Sequence, residues 1–261
     1  MAYLSIRNVE ITYKNHKTGK DFLALSGVSL DVEKGEFVTI VGPSGCGKST
    51  LLLSIDGLLP HTGGEILIDG KPVTKPGKDR ALVFQEFALL PWRTIEQNIW
   101  FGLELQGEKK EKLQSAADRF LKLTGLAQFK DHFPHQLSGG MRQRVGIARA
   151  LAVDPDILLM DEPFGALDAQ TREIMQNELL KIWDENRKTV FFVTHGIDES
   201  IYLADKIVVM SARPGTVKEI IDVKLPRPRG LEVKETTEYA RLRRRIWELL
   251  QDEVTASAGW S

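Results

Sequence analysis

Gly42-Pro43-Ser44-Gly45-Cys46-Gly47-Lys48-Ser49 follows the pattern G-x-x-x-x-G-K-[ST] at every fixed position. Glycines let the backbone curl until successive N–H groups face one anion, and a helix that starts there adds the positive end of its dipole. Such a loop cradles phosphate. Lys48 would reach the β- and γ-phosphates, and the Ser49 hydroxyl would bind Mg²⁺. The flanks suit this chemistry: Phe37–Val41 reads as a buried strand and Thr50–Ile55 as the start of a helix. The competing reading is a glycine-rich turn with a chance lysine, for which those flanks have no use.

Two further groups could do chemistry. Asp161-Glu162 follows the apolar run Ile157–Met160. A carboxylate at the end of a buried strand beside a phosphate loop can hold Mg²⁺, and its neighbour Glu162 is placed to polarise an attacking water as general base. The alternative is a surface Asp-Glu pair that opens a helix, which Pro163 would suit. In Leu137-Ser138-Gly139-Gly140-Met141-Arg142-Gln143-Arg144, Ser138 is a good N-cap and the two glycines open the helix with bare amides. Two anion-ready helix starts in one chain suggest two surfaces that face one nucleotide.

The elements that must position these groups can be read from periodicity. Leu4–Val9 and Val28–Val32 alternate apolar and polar, as half-exposed antiparallel strands do. Glu65–Gly70 ends in a turn signal, and Ala81–Phe84 reads as a short buried strand. From about Thr94 to Ala152 the pattern is helical, with Leu113, Ala117, Phe120 and Leu121 on one face of Lys110–Leu123. Ile157–Met160 and Thr189–Val193 are continuous apolar runs with a helix at Ala169–Asn186 between them, a βαβ unit. Strands near Lys206–Met210 lead to Leu225-Pro226-Arg227-Pro228-Arg229-Gly230, read as a proline-rich linker, and to a last helix at about Glu235–Val254. That helix sets Arg241, Arg243, Arg244 and Arg245 beside Leu242, Ile246, Leu249 and Leu250. It would either dock on its own domain with a solvated basic face or touch anionic headgroups or a twin subunit.

With 261 residues, 42% hydrophobic and 27% charged, the composition is that of a soluble globular protein with one large core or two modest ones. The net charge of −1 gives no global reason to bind nucleic acid. The single cysteine forms no internal disulfide, which suits a reducing cytosol, and no apolar run approaches the ~20 residues that span a bilayer. The N-terminus lacks a secretory apolar region, so any spanning part is expected on another chain.

The run LSGGMRQR resembles the signature of the ATP-binding cassette (ABC) transporter ATPases, a resemblance that covers residues 3 to about 229. It implies an α/β fold: a P-loop NTPase core of ABC-ATPase type, with an N-terminal antiparallel β subdomain and a helical subdomain inserted at about 87–152. The ATPase domain would be 1–229, and 230–261 a C-terminal linker and helix. The implied cofactors are ATP and Mg²⁺. ATP would be bound by Gly42, Pro43, Ser44, Gly45, Cys46, Gly47, Lys48, Ser49 and Thr50, with Tyr13 stacking on adenine, unless it is an ordinary strand tyrosine. Gln85 is similar to the glutamine that touches Mg²⁺ and the attacking water; with Ser49 and Asp161 it would form the metal set. His195, 34 residues after Asp161 (195 − 161), resembles the switch histidine that bonds the γ-phosphate. Lys48, Gln85, Glu162 and His195 would be the catalytic set. Ser138, Gly139 and Gly140 would contact nucleotide bound by the opposite subunit, and Asp168 lies in a loop that crosses to that subunit. Gly165 and Gly196 depart from the family pattern, where Ser and Asp are frequent.

The resemblance extends to partners. Gln85–Trp92 and Arg213-Pro214-Gly215 with Leu225–Arg229 look like the nitrate/sulfonate/taurine importer branch. The implied partners are a second copy or a paralogous ATPase subunit, two membrane permeases and an external solute-binding protein, at the cytoplasmic face of the bacterial inner membrane. Phe87–Trp92 would form a groove for a permease helix, against the alternative that Trp92 and Trp100 are core. Cys46 lies inside the phosphate loop, so bulky alkylation is expected to block ATP binding unless nucleotide protects it. The competing readings are an exporter or lipid-handling ATPase, a soluble ABC ATPase on DNA or ribosomes, and a small-molecule kinase. The 90 residues between Lys48 and Ser138 (138 − 48), without heptads, lack the coiled coils of the DNA-repair relatives. No acceptor pocket for a kinase can be read.

Overall fold

The computed structural model describes residues 2–14, 21–85, 88–165 and 167–258. Glu86, Phe87 and Ala166 therefore lie outside the described residues. The chain divides into two units, one built from the parts up to Gly77 and from Asn186 onward, the other from Lys78–Glu185.

In the first unit, alternating burial produces β1 (Leu4–Tyr13) and β2 (Phe22–Val32), paired antiparallel. With β4 (Gly63–Ile68) and β5 (Lys71–Pro72) they form an antiparallel sheet in the order β2-β1-β4-β5. The expected turn after β4 is present: Asp69 and Gly70 both have positive φ, 50° and 70°. A second sheet of this unit contains β3 (Phe37–Val41), β8 (Thr189–Val193), β9 (Lys206–Met210) and β10 (Val217–Asp222) in the order β10-β9-β3-β8. β3 lies between parallel β8 and β9 and is buried at all five residues, four of them apolar, as the reading of a buried strand requires. α1 (Lys48–Asp56), α6 (Ile197–Leu203) and α7 (Thr237–Ala258) complete the unit.

α7 is docked on its own unit through Tyr239, Leu242 and Ile246, all buried. Burying each such side chain contributes about 1.5–3 kcal/mol. Each of its four arginines meets a carboxylate: Arg241 with Glu238, Arg243 with Asp198, Arg244 with Glu248 and Arg245 with Glu219. The basic face is thus matched by acids within the unit. The proline-rich linker is packed against the unit. Arg229 is 8% exposed and donates to three backbone carbonyls, and Arg227 bonds Asp205 at 2.7 Å.

In the second unit, β6 (Arg80–Val83) and β7 (Ile157–Asp161) pair in parallel, from Arg80↔Ile157 to Val83↔Met160. Three helices, α2 (Ile95–Leu105), α3 (Lys110–Leu123) and α4 (Gly139–Ala152), pack on one another, and α5 (Ala169–Asn186) follows. α2 begins in a capping box: Gln97 N–H donates to Thr94 Oγ1 and Thr94 N–H to Gln97 Oε1. The four residues expected on one face of α3 are the buried ones. In this unit β6, β7 and α5 cluster with the helices. The βαβ run is divided by that boundary, with β7 and α5 in the second unit and β8 in the first. Trp92 is 71% exposed, so it is not core. Among the described residues no helix is long and apolar enough to cross a membrane.

Candidate active site

The first unit holds the phosphate loop, Tyr13 and His195. The loop leaves β3 and runs into α1, with Gly47 at the N-cap in a left-handed conformation, φ 91°. A side chain at Gly47 would be strained, and its Cβ would lie 2.5 Å from Leu25 Cδ2. The Lys48 ammonium donates to the carbonyls of Gly42 (2.8 Å) and Pro43 (3.0 Å), so its own loop locates the cation. The Tyr13 hydroxyl is 3.3 Å from Thr50 Oγ1, which sets the ring beside the start of α1. β3 and β8 are registered Ile40↔Val193, so Gly42 and His195 leave the carboxyl ends of neighbouring parallel strands. That edge of an α/β sheet is where ligands bind. His195 is exposed, and the residues around it are tied down. The Thr194 hydroxyl donates to Glu199 and accepts from the Gly196 N–H.

The second unit repeats this arrangement. Gln85 follows β6 and Asp161-Glu162 ends β7, again at the carboxyl ends of paired parallel strands. Glu162 has φ 47°, a left-handed backbone rare for a non-glycine residue and frequent at functional sites. Ser138 caps α4 by accepting from Met141 N–H at 3.3 Å. Gly140 lies close to Leu167, where an added Cβ would come within 2.9 Å of Cδ2. Asp168 accepts the Thr171 N–H at 2.9 Å, which holds its carboxyl below the ordinary range. The side chain is thus engaged in starting α5.

The ABC transporter family matches residues 25–165. An uncharacterised ABC transporter ATP-binding protein of Methanocaldococcus jannaschii is 54% identical over 92% of this chain and 88% of its own length. The chain belongs to the ABC transporter family. This ABC ATPase is also similar to the taurine import ATP-binding protein TauB of Rhizobium johnstonii, at 48% identity over 89% of this chain and 90% of TauB. The aliphatic sulfonates import ATP-binding protein SsuB of Bacillus cereus is 47% identical over 85% of this chain and 86% of SsuB. Among solved structures, a dimeric ATP-binding cassette in a post-hydrolysis state bound to ADP and Pi aligns with a TM-score of 0.77. Identity there is 36%, over 85% of this chain and 99% of that one.

Two supports of the ABC ATPase's site were missed in the sequence. Gly215 presses on the phosphate loop: a Cβ there would lie 2.0 Å from the Cys46 carbonyl oxygen. Asn98, fully buried on α2, accepts the Leu90 N–H and donates to the carbonyls of Leu90, Arg93 and Thr94. Arg149 donates to the Ala88 carbonyl at 2.8 Å. The loop that presents Trp92 is therefore fixed from inside. An asparagine in a helix gives no sequence signal of such a hub, whereas Arg-Pro-Gly at 213–215 did stand out as a motif.

The setting of Cys46 bears on how fast it can be labelled. The thiol is fully buried, and burial pushes its pKa up, outweighing the neighbouring Lys48 charge. The thiolate is the reactive form, so bulky alkylation at neutral pH is expected to be slow with or without nucleotide. Thiol titration with a disulfide reagent checks this: the single cysteine should react slowly in the folded chain and promptly in denaturant. Fast labelling of the folded chain would contradict it.

Proposed function

We propose that this ABC ATPase is the ATP-hydrolysing subunit of an importer for a small anionic solute of the taurine or aliphatic sulfonate kind. It acts as a head-to-tail dimer, with itself or a paralogous subunit, on two ATP molecules. TauB and SsuB carry this reading: two import ATPases with related solutes, each similar to this chain over most of its length. The dimeric cassette with ADP and Pi supports the paired state. Two permeases and an external binding protein complete the complex, which places this subunit peripherally at the cytoplasmic face of the bacterial inner membrane. The firmly held, exposed Trp92 supports a permease helix as the neighbour of its loop.

The roles follow the chemistry of each side chain. The loop amides and Lys48 bind the phosphates, and Tyr13 stacks on adenine. Glu162 takes the proton of the attacking water, Gln85 orients that water, and His195 bonds the γ-phosphate. Ser138, Gly139 and Gly140 offer amides and a hydroxyl to the nucleotide of the partner, and Asp168 lies in the loop that faces it. The donor set Ser49 hydroxyl, Gln85 amide oxygen and Asp161 carboxylate consists of hard oxygens and fits Mg²⁺. The ion would neutralise charge on the phosphate oxygens when bound. Flipping a permease from 1:99 to 99:1 needs about 5.5 kcal/mol of differential binding. A few charge-assisted hydrogen bonds, roughly 1.5–3 kcal/mol each and made only on closure, meet that need.

Reconstitution in vesicles tests the proposal. ATP hydrolysis by the assembled complex is expected to rise when solute-loaded binding protein is added outside, with taurine or an alkanesulfonate accumulating inside. Trp92→Ala should weaken assembly and that stimulation while leaving ATP binding intact. Hydrolysis indifferent to the binding protein, or solute moved outward, would overturn the import reading.

A further inference from the structure

We propose that the C-terminal segment positions His195: Tyr239, Arg243 and Arg229 clamp α6, the helix that begins two residues after the histidine. The proposal rests on the reading of His195 as the γ-phosphate ligand.

α6 has only seven residues. A helix this short has little stability of its own, so its place is set by what grips it. At its start, the buried Tyr239 phenol donates to the Asp198 carbonyl at 2.9 Å, and Arg243 Nε lies 3.3 Å from Asp198 Oδ1. Burial and the nearby Asp198 charge hold the Tyr239 proton well above the ordinary phenol range, so the donor persists at any working pH. At its end, Arg229 Nη1 donates to the carbonyls of Ile201 (3.2 Å), Tyr202 (3.0 Å) and Ala204 (2.7 Å), groups a helix terminus otherwise leaves unmatched. The Tyr202 hydroxyl donates back to the Arg229 carbonyl at 3.1 Å.

The grip reaches His195 through three atoms. Glu199, in the first turn of α6, accepts from the Thr194 hydroxyl, which accepts from the Gly196 N–H. These residues bracket His195 on both sides. A shift of α6 across β3, on which it packs, therefore carries the imidazole with it. Gly196 has no side chain of its own with which to hold this turn.

The test uses Tyr239→Phe and Tyr239→Ala in the full-length chain, with kcat, the KM for ATP, nucleotide-binding stoichiometry and the histidine NMR signals as readouts. A misplacement of about 1 Å can cost a hundredfold in rate. The expected loss in kcat is roughly tenfold for Phe and up to a hundredfold for Ala, with KM and stoichiometry unchanged. The His195 signal should shift while those of His132 and His135 stay. Arg243→Gln should act in the same direction. Arg245→Ala, on the same helix but paired with Glu219 of β10, should leave kcat unchanged. Wild-type kcat and an unmoved His195 signal in both Tyr239 variants would overturn the clamp, as would a loss of kcat matched by lost stoichiometry. His195→Ala separates the two readings. If it turns over normally, the role given to His195 fails. If it is inactive while the Tyr239 variants are normal, only the clamp fails.

Discussion

Glu162→Gln is expected to bind ATP and dimerise, with hydrolysis falling by roughly 10²–10⁴-fold, the range that general-base catalysis supplies. The substitution keeps the shape of the side chain and removes its capacity to take a proton. Because both residues have a Cβ, it leaves the strain at φ 47° as it is. A folding defect is therefore not expected. Single-turnover hydrolysis measures the chemical step, and mass measurement with and without ATP reports the dimer. If ATP bound by both subunits holds the pair closed and its hydrolysis releases them, the variant should accumulate as a closed ATP-bound pair. Hydrolysis at the wild-type rate would remove Glu162 from the base role and shift attention to Gln85 and His195.

Gly215→Ala is expected to lower ATP affinity tenfold or more, although Gly215 belongs to no phosphate-binding motif. The added Cβ would meet the Cys46 carbonyl at 2.0 Å, Leu25 Cδ2 at 2.9 Å and the Ala24 carbonyl at 3.1 Å. Two of these three are backbone atoms, so no side chain can simply swing aside. Gly215 cannot retreat either, because its N–H donates to the Ala24 carbonyl at 2.9 Å and its carbonyl accepts from Ser26 at 3.0 Å. The phosphate loop is the part that must move, and its amides then no longer converge on one anion. Overpacking of this kind typically costs about 1–3 kcal/mol of stability. Nucleotide titration and a thermal melt read the two effects separately. Unchanged affinity would show that the loop tolerates the displacement.

The elements with local signals were readable in advance. α3, α5, β8 and β9 have the bounds expected from their apolar runs and helical spacing. β1 and β2 run further than their alternation suggested, to Tyr13 and from Phe22, with Ile11, Ala24 and Leu25 buried in the added stretches and the outermost Tyr13 and Phe22 exposed. The candidate site was legible wherever the chemistry needs adjacent residues, as in the phosphate loop and the Ser138 cap. Its supports were not. Gly215 and Cys46 are 169 positions apart (215 − 46), and such a contact leaves no period in the sequence. Arg227 and Arg229 among prolines have the composition of a solvated connector. Only the burial of Arg229 against the end of α6 distinguishes a cap from a connector. The paired arginines of α7 likewise looked like a free basic face, because their acids lie on other elements as well as on α7 itself.

β3, which leads into the phosphate loop, has strand neighbours that are synthesised much later. Val190, the partner of Phe37, comes 153 residues downstream (190 − 37). At 5–20 residues per second a ribosome needs roughly 8–30 s to bridge that gap. Throughout that interval the five residues of β3, four of them apolar, wait with open hydrogen-bonding edges, and the sequence of Lys78–Glu185 is completed just before Val190 is reached. The first unit therefore cannot complete its second sheet until Lys78–Glu185 has been synthesised.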